Sequence, residues 1–228
     1  MGTAITLYSI AITLGAYFIS RIVARKYPSP FTTPVFFSTT VIILLLSAGG
    51  ISYAQYEFAK EIMTFLLGPA TVALAVPLYK NRETLLRNSV PAIMGLIIGS
   101  LSTMLAAIFI VKLFHLSDTI LSSISVKSVT VPIAVEVSKI INGDPALAAA
   151  FVVATGTIGT MLGPWLLDKT RISDPLSRGL ALGTIAHGQG TAQAALEGEL
   201  QGAIGGVAMG LGAIFTSFAA PLLVPLLR

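Results

Sequence analysis

Residues 120–141 read Ile120-Leu121-Ser122-Ser123-Ile124-Ser125-Val126-Lys127-Ser128-Val129-Thr130-Val131-Pro132-Ile133-Ala134-Val135-Glu136-Val137-Ser138-Lys139-Ile140-Ile141. The stretch is apolar enough to enter a bilayer, yet it carries a lysine, a run of Ser and Thr, a proline and a glutamate. An ammonium at membrane depth costs several kcal/mol unless it snorkels, pairs or meets water. Broken backbone at that depth is tolerated only where protein or a water-filled cavity covers it. The segment is therefore interior rather than lipid-facing. It returns to the face it left or crosses as a broken helix.

The rest of the chain supplies the membrane context. Apolar segments run over 3–20, 33–53, 62–79, 90–114, 120–141, 145–167, 180–196 and 203–227, and the charges gather between them. Of the 228 residues, 54% are hydrophobic and 11% charged, with a mean hydropathy of +0.87. A soluble domain carries about a quarter charged residues, so a water-exposed surface cannot be built from this set. The expectation is an all-α integral membrane protein, one polytopic domain over 1–228, with about seven or eight transmembrane segments at ~20 residues each. The first segment lacks a basic stretch ahead of it, since Arg21 follows it, so it reads as a retained span. Without cysteine there are no thiolate ligands or nucleophiles. The net charge of +4 lies in short loops and not in a stripe, which argues against nucleic acid. No nucleophile–base set, metal cluster or phosphate loop stands out, so neither an enzyme nor a cofactor is expected.

Two other segments are interrupted. Residues 62–79 carry Gly68-Pro69 and Pro77, and 180–196 carry Gly183, His187, Gly188, Gln189 and Gly190. A weak repeat links these regions. Thr71-Val72-Ala73-Leu74-Ala75-Val76 resembles Thr130-Val131-Pro132-Ile133-Ala134-Val135, and Gly99-Ser100-Leu101-Ser102-Thr103-Met104-Leu105 resembles Gly156-Thr157-Ile158-Gly159-Thr160-Met161-Leu162. Repeat halves of roughly 60–114 and 119–168, inverted in sense, would fit the pattern of secondary transporters. Charge bias agrees. If 120–141 is re-entrant, Lys80, Arg82, Arg87, Lys169, Arg171, Arg178 and Arg228 share one side with Arg21, Arg25 and Lys26, as the positive-inside rule requires. That places the N-terminus outside and the C-terminus inside; a second re-entrant element at 180–196 would put both termini on one face.

Lys127-Ser128-Val129-Thr130-Val131-Pro132-Ile133-Ala134 and Gly183-Thr184-Ile185-Ala186-His187-Gly188-Gln189-Gly190-Thr191-Ala192 resemble the two signatures of the LrgB/CidB family, with the Gly156 run between them. The resemblance covers essentially the whole chain. Family members more often have Ser at the position of Ala186 and an apolar residue at that of Gln189. The resemblance implies a multi-pass protein of the bacterial cytoplasmic membrane. It implies a carrier of small monocarboxylates such as pyruvate, glycolate or glycerate, as in the LrgB part of the plastid glycolate/glycerate translocator. The alternative it implies is a holin- or antiholin-like protein modulating murein hydrolases and autolysis. The implied partners are a small LrgA/CidA-type membrane subunit, the carboxylate anion, the lipid bilayer and further copies of the chain.

On the carrier reading, Lys127 attracts the carboxylate, aided by backbone N–H groups of the helix restarting near Pro132; the plainer alternative is an ion pair with Glu136. Ser128 and Thr130 offer hydroxyl hydrogen bonds, or simply bond backbone carbonyls. His187 is the candidate for proton coupling, against a neutral histidine bonded between helices. Thr191, Thr71, Gly156 and Thr157 complete the expected substrate-binding set, although small residues at such spacing more often serve close helix packing.

Overall fold

The computed structural model describes residues 2–66, 69, 72–73 and 75–228. Every regular element among them is helical, and the chain separates into two compact units, Met1–Ala73 and Leu74–Arg228.

The first unit holds α1 (Gly2–Lys26), α2 (Pro34–Ala48) and α3 (Tyr53–Phe65). Ser9, Ala16 and Ser20 are buried on one stripe of α1, where their small side chains admit the neighbouring helices, and Thr13 Oγ1 meets Tyr56 Oη of α3 at 3.1 Å. The apolar segment expected to run to residue 53 stops at Ala48, where Gly49 and Gly50 (φ 63°) turn the chain. Glu57–Glu61, expected as a loop, is helical because Ser52 and Gln55 form a capping box and Lys60 pairs with Glu57 at 3.3 Å. Thr71 and Gly68 of the expected 62–79 break lie outside the described residues.

The second unit contains short α4 (Ala75–Lys80) and α5 (Arg82–Arg87), followed by α6 (Ser89–Leu113), α7 (Asp118–Ser125), α8 (Val131–Ile140), α9 (Pro145–Lys169), α10 (Pro175–Glu197) and α11 (Glu199–Leu226). Four helices among the described residues are long and apolar enough to cross a bilayer: Ala4–Lys26, Ser89–Leu113, Pro145–Lys169 and Glu199–Leu226.

Segment 120–141 is not one continuous helix. Ser123 Oγ receives the Asp144 amide at 2.8 Å, and Arg228 donates to Ser122 Oγ at 2.6 Å and to the Ile141 carbonyl. A continuous helix would hold residues 123 and 144 about 30 Å apart, so α7 and α8 form a hairpin with its turn at 126–130 and both ends at one level. Around it α6, α9 and α11 build an apolar cage in which Val126, Ala134, Val152 and Val224 are fully buried.

α10 also doubles back, at Ala186 (φ −108°, ψ 16°) and His187 (φ 43°, ψ −129°). Arg178 near its start grips Glu197 at its end, Nε to Oε2 at 2.6 Å and a second nitrogen to Oε1 at 3.0 Å. Its remaining nitrogen reaches Asp168 Oδ1 at 2.7 Å. Glycine makes the fold-back and its docking possible. A Cβ on Gly190 would stand 1.9 Å from the Leu182 carbonyl oxygen, and one on Gly183 would stand 2.3 Å from that of Gly205 in α11. This second reversal is the alternative left open for 180–196, and it separates the C-terminus from the cations at 169–178. Arg228 sits with Ile141 at the start of α9, a 25-residue helix away from Lys169, Arg171 and Arg178. Glycines and His187 mark 180–196 as interrupted in the sequence, but no charge there fixes the interruption as a reversal.

Arg178 and Glu197 keep only 11% and 15% side-chain exposure. Replacing Arg178 by Ala strands a largely buried carboxylate and is expected to cost about 2 kcal/mol, the exposed Asp168 contributing little. The measurement is hydrogen exchange over 175–197 with the unfolding midpoint; unchanged protection would contradict the clamp. Asp174 caps α10, and the Ser177 hydroxyl and amide hydrogens bonded to it hold its carboxyl below the usual range. A depressed native pKa stabilises above the unfolded-state value and is lost as pH falls through the native one. The penalty of Asp174→Ala in thermal melts should therefore vanish in acid.

Candidate functional site at the two hairpin tips

The first tip is built by the helix break. α7 ends at Ser125, and α8 restarts at Val131 with Thr130 at its N-cap, whose side chain makes no capping bond. Pro132 in the first turn of α8 has no N–H to leave unpaired there. Lys127, between the two half-helices, donates to Thr103 Oγ1 of α6 and to Ser128 Oγ at 3.2 Å, and the two hydroxyls lie 3.4 Å apart. The ion pair with Glu136, the plainer alternative for Lys127, does not form. Glu136 lies on the outer face of α8 and takes Lys139 instead, at 2.7 Å. Among the described residues, then, no carboxylate meets Lys127. Hydroxyl dipoles solvate its charge without neutralising it, which leaves it able to attract an anion. Thr103 was not among the expected binding residues; its place in the repeated Gly99 block was the only signal.

The second tip centres on His187, which is 6% exposed. Its φ of 43° puts a β-substituted residue in a sparsely populated region, at roughly 1–3 kcal/mol. Nε2 lies 3.0 Å from the Val152 carbonyl oxygen of α9. Because that oxygen can only accept, Nε2 carries the hydrogen, and Nδ1 is left to accept or take up a proton. Gly156 is one turn on from Val152, and a Cβ there would be 2.7 Å from His187 Nε2 and 2.8 Å from Gln189 Oε1. Thr157 Oγ1 donates to Gln189 Oε1 at 3.4 Å. Gly156, Thr157, Gln189 and His187 thus form one group. Thr191 is not part of its polar lining, since its hydroxyl bonds the His187 carbonyl at 3.0 Å, an ordinary back-bond one turn away. Buried Thr184 Oγ1 and Gln193 Oε1 have no partner among the described residues. An unmet buried oxygen is costly, and neither residue was singled out in the sequence.

The two tips share a neighbour. Val152 packs in the apolar cluster that holds Val126 and Val129 of the first tip, and its carbonyl takes the His187 bond of the second. No described hydrogen bond links the Lys127 group to the His187 group. The cavity of about 220 Å³ between α5, α6, α10 and α11 is lined by neither.

Apolar helices long enough to cross a bilayer, with two broken hairpins carrying polar groups at their tips, define a multi-pass helical membrane protein. Residues 13–226 match the LrgB-like family, and the chain belongs to that family. It is 36% identical over 220 residues to the uncharacterised protein YwbG of Bacillus subtilis (strain 168), covering 96% of this chain and 98% of that one. It is 32% identical over 221 residues to the antiholin-like protein LrgB of the same organism, covering 96% of each. It is 31% identical over 219 residues to the holin-like protein CidB of Staphylococcus aureus (strain Mu50), covering 96% of this chain and 95% of the relative. No solved structure matches the chain significantly.

A methyl group at position 156 must push the imidazole or the Gln189 amide aside. Gly156→Ala is therefore expected to destabilise by about 1–3 kcal/mol. Gly210→Ala in α11 has nothing within 4 Å of the added carbon and serves as the control that melts as wild type or higher.

Proposed function

We propose that this chain acts in a bacterial cytoplasmic membrane as a holin- or antiholin-like protein that modulates murein hydrolase activity and autolysis. The observation that carries this reading is the full-length similarity to relatives named antiholin-like LrgB and holin-like CidB. A small LrgA/CidA-type subunit and further copies of the chain are its proposed partners, and it performs no covalent chemistry.

A second reading, secondary transport of a small monocarboxylate such as pyruvate, glycolate or glycerate, is favoured by one geometric observation. Lys127 is met by hydroxyls alone at the tip of one hairpin, and His187 is held strained at the tip of another. Each tip also carries the start of a half-helix, whose free N–H groups and dipole favour an anion. On this reading α7–α8 and α10 are re-entrant, and the units α6 with α7–α8 and α9 with α10 form an inverted repeat. The pairs Gly99 and Gly156, Thr103 and Thr160, Lys112 and Lys169, and the N-caps Ser117 and Asp174 each stand 57 positions apart. That repeat spans about 88–141 and 145–198, displaced from the halves first drawn. The end of the second unit bearing Lys80, Arg82, Arg87, Lys169, Arg171 and Arg178 outweighs in basic residues the end bearing Lys112, Lys139 and Arg228, which puts the former in the cytoplasm. The two readings are compatible, since carboxylate flux can act on lysis.

The test has two arms. In cells lacking their own copy, expression of this chain should shift autolysis rate and murein hydrolase activity; no shift in either direction would remove the first reading. In proteoliposomes, with and without an LrgA/CidA-type subunit, uptake of labelled pyruvate or glycolate should fall at least tenfold in Lys127→Ala. His187→Gln should flatten its pH dependence. Flux absent under both conditions and across imposed proton gradients would end the carrier reading.

A further inference from the structure

The cavity of about 220 Å³ belongs to neither tip. Leu86 of α5, Ala92 and Leu96 of α6, Leu180 of α10, and Val207 and Leu211 of α11 supply its wall. The one hydroxyl in the lining, Ser89 Oγ, is already given to the Leu86 carbonyl at 2.9 Å. Nothing inside can recognise a polar solute, and a narrow apolar cleft between membrane helices suits a hydrocarbon chain.

Its rim is different. α5 contributes Leu85 and Leu86 to the lining, and Arg82 precedes them by one turn on the same face. The guanidinium of Arg82 lies 4.5 Å from the ring centre of Tyr79, which is 68% exposed, and donates to the Tyr79 carbonyl at 3.1 Å. An exposed tyrosine stacked with an arginine is the pairing found where membrane meets water. Among the described residues Arg87 makes no ion pair, and Lys80 is held only by an exposed pair with Glu199 at 3.3 Å, worth little. Arg82 keeps N–H donors beyond the one given to Tyr79, and Arg87 directly follows the lining residue Leu86, so both side chains can reach a phosphate near the slot.

We propose that the cleft between α5, α6, α10 and α11 is a binding site for an anionic diacyl phospholipid, with its phosphate at Arg82 and Arg87 and one acyl chain in the slot. The assignment does not depend on what the hairpin tips do. Two cations near a phosphate raise affinity for an anionic over a zwitterionic lipid by about thirtyfold.

Native mass spectrometry of the full chain in detergent tests it, with phosphatidylglycerol and phosphatidylcholine of identical acyl chains as probes. Wild type should bind phosphatidylglycerol about thirtyfold more tightly. Arg82→Gln with Arg87→Gln, both at the surface, should bring the two lipids level, and Ala92→Phe, which fills the slot, should weaken both. Equal binding by wild type, or a preference surviving the double substitution, would overturn the proposal. So would Ala92→Phe splitting a dimer while lipid binding stays unchanged, because the cleft would then be a contact between copies. Soluble glycerol phosphate competing as well as the whole lipid would show that the slot contributes nothing, and would overturn it too.

Discussion

A helix broken halfway through a bilayer leaves peptide N–H and C=O groups where there is no water to satisfy them, at several kcal/mol each. The second unit breaks two apolar segments, and its packing shelters both breaks. Lipid supplies no hydrophobic force to bring helices together, so close packing must do it. The first hairpin is enclosed by valine and alanine from three helices, and its turn residues Val126 and Val129 are among the most buried in the chain. The second is pressed backbone to backbone against α11 through Gly183 and Gly205, and against itself through Gly190. One break is caged by β-branched side chains and the other is closed by removing side chains altogether.

What each break holds follows from that difference. The caged tip has room for side chains, and Lys127 takes it, with Thr103 and Ser128 as neighbours. A carboxylate in their place would have neutralised the ammonium and left a structural ion pair of the ordinary buried kind. The glycine-closed tip has room for a ring only because Gly156 gives way, and the imidazole is fixed by a main-chain carbonyl rather than by another titrating group. Its remaining nitrogen is thus uncommitted among the described residues, and the strained backbone at position 187 is the cost of holding the ring there. Replacing His187 by glycine would relax the backbone and empty the tip, so the strain has no structural purpose without the side chain.

The interior character of 120–141 was legible because a lysine, a proline and a glutamate in an apolar run admit few other readings. The hairpin at 175–197 was legible as an interruption but not as a reversal, because glycines mark both a flexible helix and a fold-back, and the Arg178–Glu197 pair distinguishes the two. On the carrier reading, the Gly99 and Gly156 blocks point to corresponding helices, while Thr71 of the Thr71 and Thr130 match lies outside the described residues. The caps at Ser117 and Asp174 carried the register and are invisible to a search for apolar similarity. Lys127 and His187 stood out as polar groups in apolar stretches. Thr103, Thr184 and Gln193 did not, since a lone hydroxyl or amide on a membrane helix usually bonds its own backbone.

The mouths of the hairpins differ as much as the tips. At 175–197 an arginine binds two carboxylates, with a bidentate contact to one of them, so both partners of each bond are charged. At 118–141 the arginine that closes the gap, Arg228, bonds a serine hydroxyl and a main-chain carbonyl, both uncharged. The two hairpins open towards opposite ends of the unit, so its two ends are fastened with unequal strength. On the carrier reading, a motion that exposes the tips by turns would begin at the end that carries Arg228, and there the loosened hairpin is the one bearing Lys127.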